Sequence, residues 1–199
     1  MNTTQPIRSK EDLKKIKKYY LKECPNKRNY LLIVLALNTA LRVSDVLNLR
    51  WSDVYDIHLM DYKEHITIEE HKTGKKTNIF INNMLKSALS MYLDEVLSKR
   101  KFMSVVIDRY IFTGQKSESR PISRIQAFRI INKAADACNI KQPVSCHSLR
   151  KTFGYQAWKQ GVSPALLTNI YNHSSYKVTV RYLGIEQDDR DEVFRNIKL

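Results

Sequence analysis

The segment CHSLRK, Cys146 to Lys151, places a histidine and an arginine three residues apart. On a helix that spacing sets both side chains on one face, with Cβ atoms about 5 to 6 Å apart. No Asp or Glu occurs between Asp136 and Glu186, so nothing nearby in sequence neutralises such a face. The pair His147 and Arg150 therefore asks for an anion.

Three other stretches carry polar side chains suited to an anion. In TALRVSDVLNLRW, residues 39 to 51, apolar Leu41, Val46, Leu47 and Leu49 anchor a helix, and Arg42 stands near its start. Asp45, three residues on, is expected to hold the Arg42 guanidinium, leaving its other N–H donors for a phosphate. The plain alternative is a surface ion pair of little energetic consequence. In HKTGKKT, residues 71 to 77, Gly-Lys-Lys-Thr follows a strand pattern, but the glycine that a Walker loop needs five residues earlier is Glu69, and NIFI afterward reads as strand rather than helix. The alternative is a hairpin whose turn holds Lys72, Lys75 and Lys76 out toward phosphates, or simply lysines that discourage edge pairing. In NHSSYKVTVRYLGI, residues 172 to 185, His173 precedes a Ser-Ser turn and Tyr182 follows Arg181 on a short helical pattern. A tyrosine so placed is, by itself, as well explained as a core ring.

The elements that must position these residues are mainly helical. Ser9 reads as an N-cap, with Asp12 at N3, after a loose opening MNTTQPIR; the helix runs to about Glu23. Helices follow at about Asn26 to Thr39, where LLIVLAL is apolar on all sides, and at Leu41 to Leu49. From Tyr55 to Ile81, YDIHL, HITIEEH and KTNIFI are rich in β-branched and aromatic residues in partial alternation. Helical spacing returns at Asn83 to Arg100 and, after a short YIF strand, at Ser123 to Asn139, Ser145 to Gln160, Pro164 to Tyr171, Lys177 to Leu183 and Asp188 to Ile197. The expected fold is mainly α with a small three-stranded antiparallel β-sheet.

At 199 residues with no linker, repeat or low-complexity tract, the chain reads as one domain, able to bury roughly 70% of its unfolded surface. Lys and Arg number 34 against 20 acids, a net charge of +14, which favours an extended polyanion as partner. No apolar run long enough to span a bilayer and no signal-peptide pattern is present, so a membrane partner is not expected and the location reads as cytoplasmic. Cys24, Cys138 and Cys146 match no disulfide framework or zinc motif and read as ordinary thiols.

Taken together and in order, ALRVSD, HKTGKK, HSLRKTF and NHSSYKVTVRY resemble the tyrosine recombinases, also called phage integrases, from about residue 9 to the end. The resemblance implies the tyrosine recombinase catalytic-domain fold and six catalytic residues: Arg42, Lys72, His147, Arg150, His173 and Tyr182, with Asp45 behind them. Lys75, Lys76, Arg124 and Lys177 are the further candidate DNA contacts. Tyr182 would attack a scissile phosphate to form a 3'-phosphotyrosine. Arg42 and Arg150 would bracket the nonbridging oxygens, His147 would accept or relay the tyrosine proton, His173 would donate to a phosphate oxygen, and Lys72 would protonate the leaving 5'-oxygen.

The departures from the family pattern are Asp45 for the commoner Glu, Lys151 where His or Arg is usual, and Tyr171-Asn172 for Leu-Gly before His173. The last removes a glycine, so the backbone entering His173 is expected to differ from the family form. The N-terminal core-binding and arm-binding domains of family members have no counterpart in residues 1 to 199, which read as a single catalytic domain, either a short member of the family or an excised part of a longer one. By the same resemblance the reaction is site-specific recombination or integration without metal, ATP or other cofactor. The partners are double-stranded DNA, with which the protein would associate at the nucleoid, further copies of the chain as a tetramer on DNA, and accessory DNA-bending factors. Val193, Phe194 and Ile197 would form the small apolar face that docks on a neighbour, the alternative being that this segment packs on its own domain. The rival readings are a type IB topoisomerase-like DNA relaxing enzyme and a catalytically silent DNA-binding protein on the same fold.

Overall fold

The computed structural model describes residues 4–114, 119–185 and 187–197. Helix α1 (Lys10–Lys22) starts where expected, with Ser9 Oγ accepting the Asp12 N–H at 3.1 Å. Helix α2 (Lys27–Asn38) is the centre of the molecule, with Leu31, Leu32, Ile33, Val34 and Leu35 buried on every side. It packs against α1, α5 (Asn83–Arg100), α6 (Arg124–Ala137) and α7 (Cys146–Lys159). Each such aliphatic side chain contributes about 1.5 to 3 kcal/mol by leaving water, so this run organises the core.

Between α2 and α5 lie two short helices, α3 (Val43–Asn48) and α4 (Trp51–Val54), and four strands. The expected three-stranded sheet is replaced by two separate antiparallel ribbons, β1 (Tyr55–Asp56) with β2 (Asp61–Tyr62) and β3 (His65–Glu69) with β4 (Lys76–Phe80). YDIHL does not extend because Asp56 Oδ1 accepts the N–H groups of His58 at 2.9 Å and Leu59 at 3.2 Å, turning the chain after two residues. The YIF segment likewise forms only an isolated bridge, Arg50 with Tyr110.

The opening is not loose from Thr4 onward. Ile7 is fully buried and its N–H donates to Thr152 Oγ1 at 2.8 Å, while Gln156 Nε2 donates to the Arg8 carbonyl at 3.1 Å. These contacts span some 145 positions, beyond the reach of local composition; residues 1–3 of the opening lie outside the described ones. A second, smaller core of Ala40, Leu167, Tyr171 and Leu183 lies under α8 (Pro164–Ile170) and α9 (Tyr176–Leu183). The last helix, α10 (Gln187–Asn196), is anchored through Asp189, which accepts from Arg8 and from the Tyr155 hydroxyl, each at 3.3 Å. Its Val193 and Phe194, and Ile197 just beyond its end, are exposed. Among the described residues no helix is long and apolar enough to cross a membrane.

Candidate active site

Arg42 occupies the N-cap position of α3 in extended backbone geometry, its carbonyl accepting the N–H groups of Asp45 and Val46. Because it is not in the helix, the i, i+3 relation with Asp45 does not hold, and the expected pair is corrected. The Arg42 guanidinium pairs instead with Glu70, a carboxylate only 1% exposed. Asp45 is buried and accepts the His71 N–H at 3.1 Å, so it braces the lysine-bearing turn rather than the arginine.

Glu70 was missed in the sequence, although a signal was there. Ile66 and Ile68 of β3 and Glu70 just past its end continue one inward-facing alternation, and a carboxylate at an inward position must find partners. Oε1 accepts from Asn172 Nδ2 at 2.7 Å and Thr77 Oγ1 at 3.1 Å; Oε2 accepts from Thr73 Oγ1 at 3.1 Å and from Arg42. Burial raises the Glu70 pKa, but the hydrogen bonds from Asn172, Arg42 and Thr77 outweigh it and hold the carboxyl below its ordinary value. Gly74, at φ 64°, lets the β3–β4 turn close back onto the Glu70 carbonyl.

At the start of α7, Ser145 and Ser148 cap each other, Oγ to N–H in both directions. This fixes the first turn, and His147 and Arg150 lie on the face expected. Both line a cleft of about 610 Å³ together with Arg42, Lys72 and Arg124. The positive end of the α7 dipole adds to the attraction for an anion there. Cys146 also lines it, but burial pushes its thiol up to about 11, so it is no nucleophile at neutral pH. Lys75, Lys76 and Lys177 are exposed and do not line this cleft.

Helix α9 brings Tyr182 to the same place, within the same subunit. Its hydroxyl is 3.4 Å from His147 Nδ1, and the two rings meet edge to face at 4.9 Å. His173 and Tyr171 each contact the Tyr182 ring, both at 4.9 Å between centroids. His173 stacks on Tyr171 at 5.1 Å, and its Nδ1 lies 2.9 Å from Thr179 Oγ1, which leaves Nε2 as the ring atom for a ligand. Asn172 takes the left-handed conformation, φ 54°, which asparagine tolerates better than most residues.

Two further residues, marked in the sequence only as departures from the family pattern, also belong to the site. Tyr171 is fully buried, donates its hydroxyl to the Arg150 carbonyl at 2.8 Å and accepts Arg150 Nη2 on its own carbonyl at 3.2 Å. Its ring also lies beneath the guanidinium, 5.0 Å from Cζ. Arg150 is 3% exposed, and its Nη1 has no hydrogen-bond partner. A buried donor without an acceptor is costly, and it is satisfied if an anion binds. Lys151 Nζ sits 5.4 Å from the Tyr182 ring centroid and donates to the Thr4 carbonyl at 2.7 Å, tying the N-terminal segment to the site.

Burial, with the surrounding charges, sets the protonation states. Burial lowers His147 to about 4, and Lys151, Arg150, Arg42 and Lys72 act in the same direction. His173 is likewise lowered to about 4, by burial and then by Arg150 and Arg42. Burial pushes Tyr182 up to about 12 against the opposing pull of Arg150 and Arg42. At neutral pH the site thus holds a neutral imidazole able to accept a proton beside a phenol that still carries one.

A helical domain that gathers two arginines, two histidines and a tyrosine around a lysine-bearing hairpin defines the tyrosine recombinase fold. The solved structure of XerA recombinase covers 99% of this chain with a TM-score of 0.77 at 23% identity, the chain covering 68% of it. Lambda integrase residues 75–356 bound to DNA cover 100% of this chain with a TM-score of 0.62 at 20% identity, the chain covering 65% of them. Residues 8–188 match the family model described as the phage integrase family, and the chain belongs to that family. It is 39% identical over 188 residues to the probable integrase/recombinase YoeC of Bacillus subtilis (strain 168), covering 94% of this chain and 93% of that one. Against other curated tyrosine recombinases the chain spans about half their length, 54% and 52% in two cases.

Proposed function

We propose that this protein is a site-specific DNA recombinase or integrase that cleaves and rejoins strands through a 3'-phosphotyrosine, with residues 1–199 acting as one catalytic domain. The observation that carries this reading is the Tyr182 hydroxyl set 3.4 Å from His147 Nδ1, beside the cleft that Arg42, Lys72 and Arg150 line. Apo contacts of this kind are often long and tighten when the substrate binds.

In the proposed reaction a DNA phosphate enters the cleft and takes the vacant donor of Arg150 and the free edge of Arg42. The Tyr182 oxygen attacks phosphorus as its proton passes to His147. The bond from phosphorus to the 5'-oxygen breaks, and that oxygen takes a proton from Lys72, leaving a phosphotyrosine and a 5'-hydroxyl. Attack by a 5'-hydroxyl from another strand reverses these transfers and joins new partners, the bond energy having been kept in the phosphotyrosine. His173, held by Thr179 and Tyr171, offers Nε2 to a nonbridging oxygen. Lys75, Lys76, Arg124 and Lys177 contact flanking phosphates, in keeping with the net charge of +14. Several copies assemble on DNA, as a tetramer, with accessory DNA-bending factors; the exposed Val193 and Phe194 of α10 and Ile197 just beyond it supply the contact between copies. A DNA-acting protein of this kind works in the cytoplasm at the nucleoid.

A suicide DNA substrate, nicked so that the cleaved fragment diffuses away, tests the reading. The wild-type protein is expected to accumulate a covalent protein-DNA adduct, and Tyr182→Phe to form none. A stable complex without adduct from the wild type refutes the enzyme in favour of a silent binder. Plasmid relaxation with no exchange between sites identifies a topoisomerase-like activity instead.

A further inference from the structure

The Glu70 carboxylate is the place where three separate parts of the site meet. Arg42 reaches it from the cap of α3, Thr73 and Thr77 from the hairpin that carries Lys72, and Asn172 from the turn that carries His173. Asn172 Nδ2 also lies 3.2 Å from Thr77 Oγ1, which closes the group into a ring of hydrogen bonds. Each carboxylate oxygen accepts two donors, which is the condition under which a buried carboxylate is tolerated. We propose that Glu70 is a positioning residue for phosphoryl transfer, its carboxylate fixing one edge of Arg42 and, through Asn172, setting Arg42 in register with the Arg150–His173–Tyr182 half of the site.

The geometry explains why a carboxylate serves here. Arg42 sits on a non-helical cap and is partly exposed, with 23% of its side chain accessible, so without a partner its long chain samples many rotamers. Glu70 engages one edge of the planar guanidinium and leaves the rest of the fork to a phosphate. Asn172 links this to the other half directly. The residue before it, Tyr171, holds Arg150 and walls Tyr182, and the residue after it is His173. The dipeptide Tyr171-Asn172 thus supports both arginines, one from each residue.

The inference rests on the reading that Arg42 faces the scissile phosphate, and the test separates the two. Single-turnover cleavage is measured on the suicide substrate with an ordinary scissile phosphate and with each methylphosphonate diastereomer, in which a neutral methyl replaces one nonbridging oxygen. Glu70→Gln keeps the shape and loses the charge; Asn172→Gly keeps the left-handed backbone and loses the amide. Glu70→Gln is expected to cleave the phosphate about 10- to 100-fold more slowly, the worth of a charge-assisted hydrogen bond. The deficit should shrink on the diastereomer lacking the oxygen that Arg42 meets. Asn172→Gly should show the same pattern with a smaller loss, and Arg42→Ala/Glu70→Gln should be no slower than Arg42→Ala. The ratio between substrates is internal to each folded preparation, so lost stability cannot produce it. Equal slowing on all substrates, or none, overturns the role of Glu70 while leaving the recombinase reading intact. No adduct from the wild type on the ordinary phosphate overturns both.

Discussion

Replacing His147 by Ala tests how the nucleophile is made. With its phenol pushed up to about 12 by burial, Tyr182 is almost wholly protonated at pH 7.5. Preformed phenolate is therefore scarce, and a neutral imidazole 3.4 Å away is the group placed to remove the proton as the bond to phosphorus forms. General-base help of this kind contributes about 100- to 10,000-fold, and His147→Ala should slow single-turnover cleavage by that factor at pH 7.5. The shape of the pH profile is the sharper observable. In the wild type the base is neutral throughout pH 7.5 to 9.5, so the rate should be flat. In His147→Ala the rate depends on the phenolate fraction, which rises tenfold per pH unit below 12, so the deficit should narrow about 100-fold across those two units. Cleavage is read as covalent adduct on the suicide substrate at saturating protein. A variant profile parallel to the wild-type one refutes the assignment, because it shows that the imidazole does not move the tyrosine proton.

His173 is expected to make the fold sensitive to acid. Its folded value of about 4 lies below the ordinary 6.5, so the unfolded chain binds the proton first as pH falls. Its contribution is full above pH 6.5 and is lost between 6.5 and 4, on the order of 2 kcal/mol once its partial exposure is allowed for. Urea denaturation at pH 7.5 and 4.5 should show that loss reduced in His173→Gln, and equal losses in the two proteins would contradict it. Gly154→Ala should damage site and fold together, since its Cβ would lie 2.3 Å from the Tyr171 hydroxyl oxygen and 2.8 Å from Leu183 Cδ2. A cost of about 1 to 3 kcal/mol in stability is expected. Adding Tyr171→Phe, which removes the clashing oxygen, should recover part of it in a thermal melt; strict additivity of the two changes would refute the contact.

What the sequence made legible was local. Ser9 caps α1 as expected because a hydroxyl followed by a helical run needs only neighbouring N–H groups, and α5 spans Asn83 to Arg100 as its apolar spacing requires. The His147 and Arg150 face was legible for the same reason, as one turn of one helix. The relation between Arg42 and Asp45 failed because the expected helix began at Leu41, two residues too early, and a cap residue projects its side chain in another direction. Ile7 on Thr152, Glu70 on Asn172 and Tyr171 on Arg150 join residues 21 to 145 positions apart. Only the inward alternation Ile66, Ile68, Glu70 hinted at any of them. The sheet was overestimated because β-branched composition does not reveal that Asp56 will spend its carboxylate on the turn.

The arrangement of charge also decides between two ways of activating a tyrosine. One is to lower its pKa until phenolate is abundant, which the converging Arg42 and Arg150 would suggest. Burial defeats this in the free protein, leaving the phenol near 12. A bound phosphodiester would not reverse it, because its negative charge offsets the same guanidinium groups and disfavours a second anion beside it. The cations are thus better matched to the pentavalent transition state, which carries more charge than either the diester or the phenol before it, than to the ionised nucleophile. Proton removal must then accompany attack instead of preceding it. A histidine kept neutral by its burial, and further by those same cations, is the base that the proposed timing requires, so Arg42 and Arg150 would serve the reaction twice, once on the phosphate and once through His147.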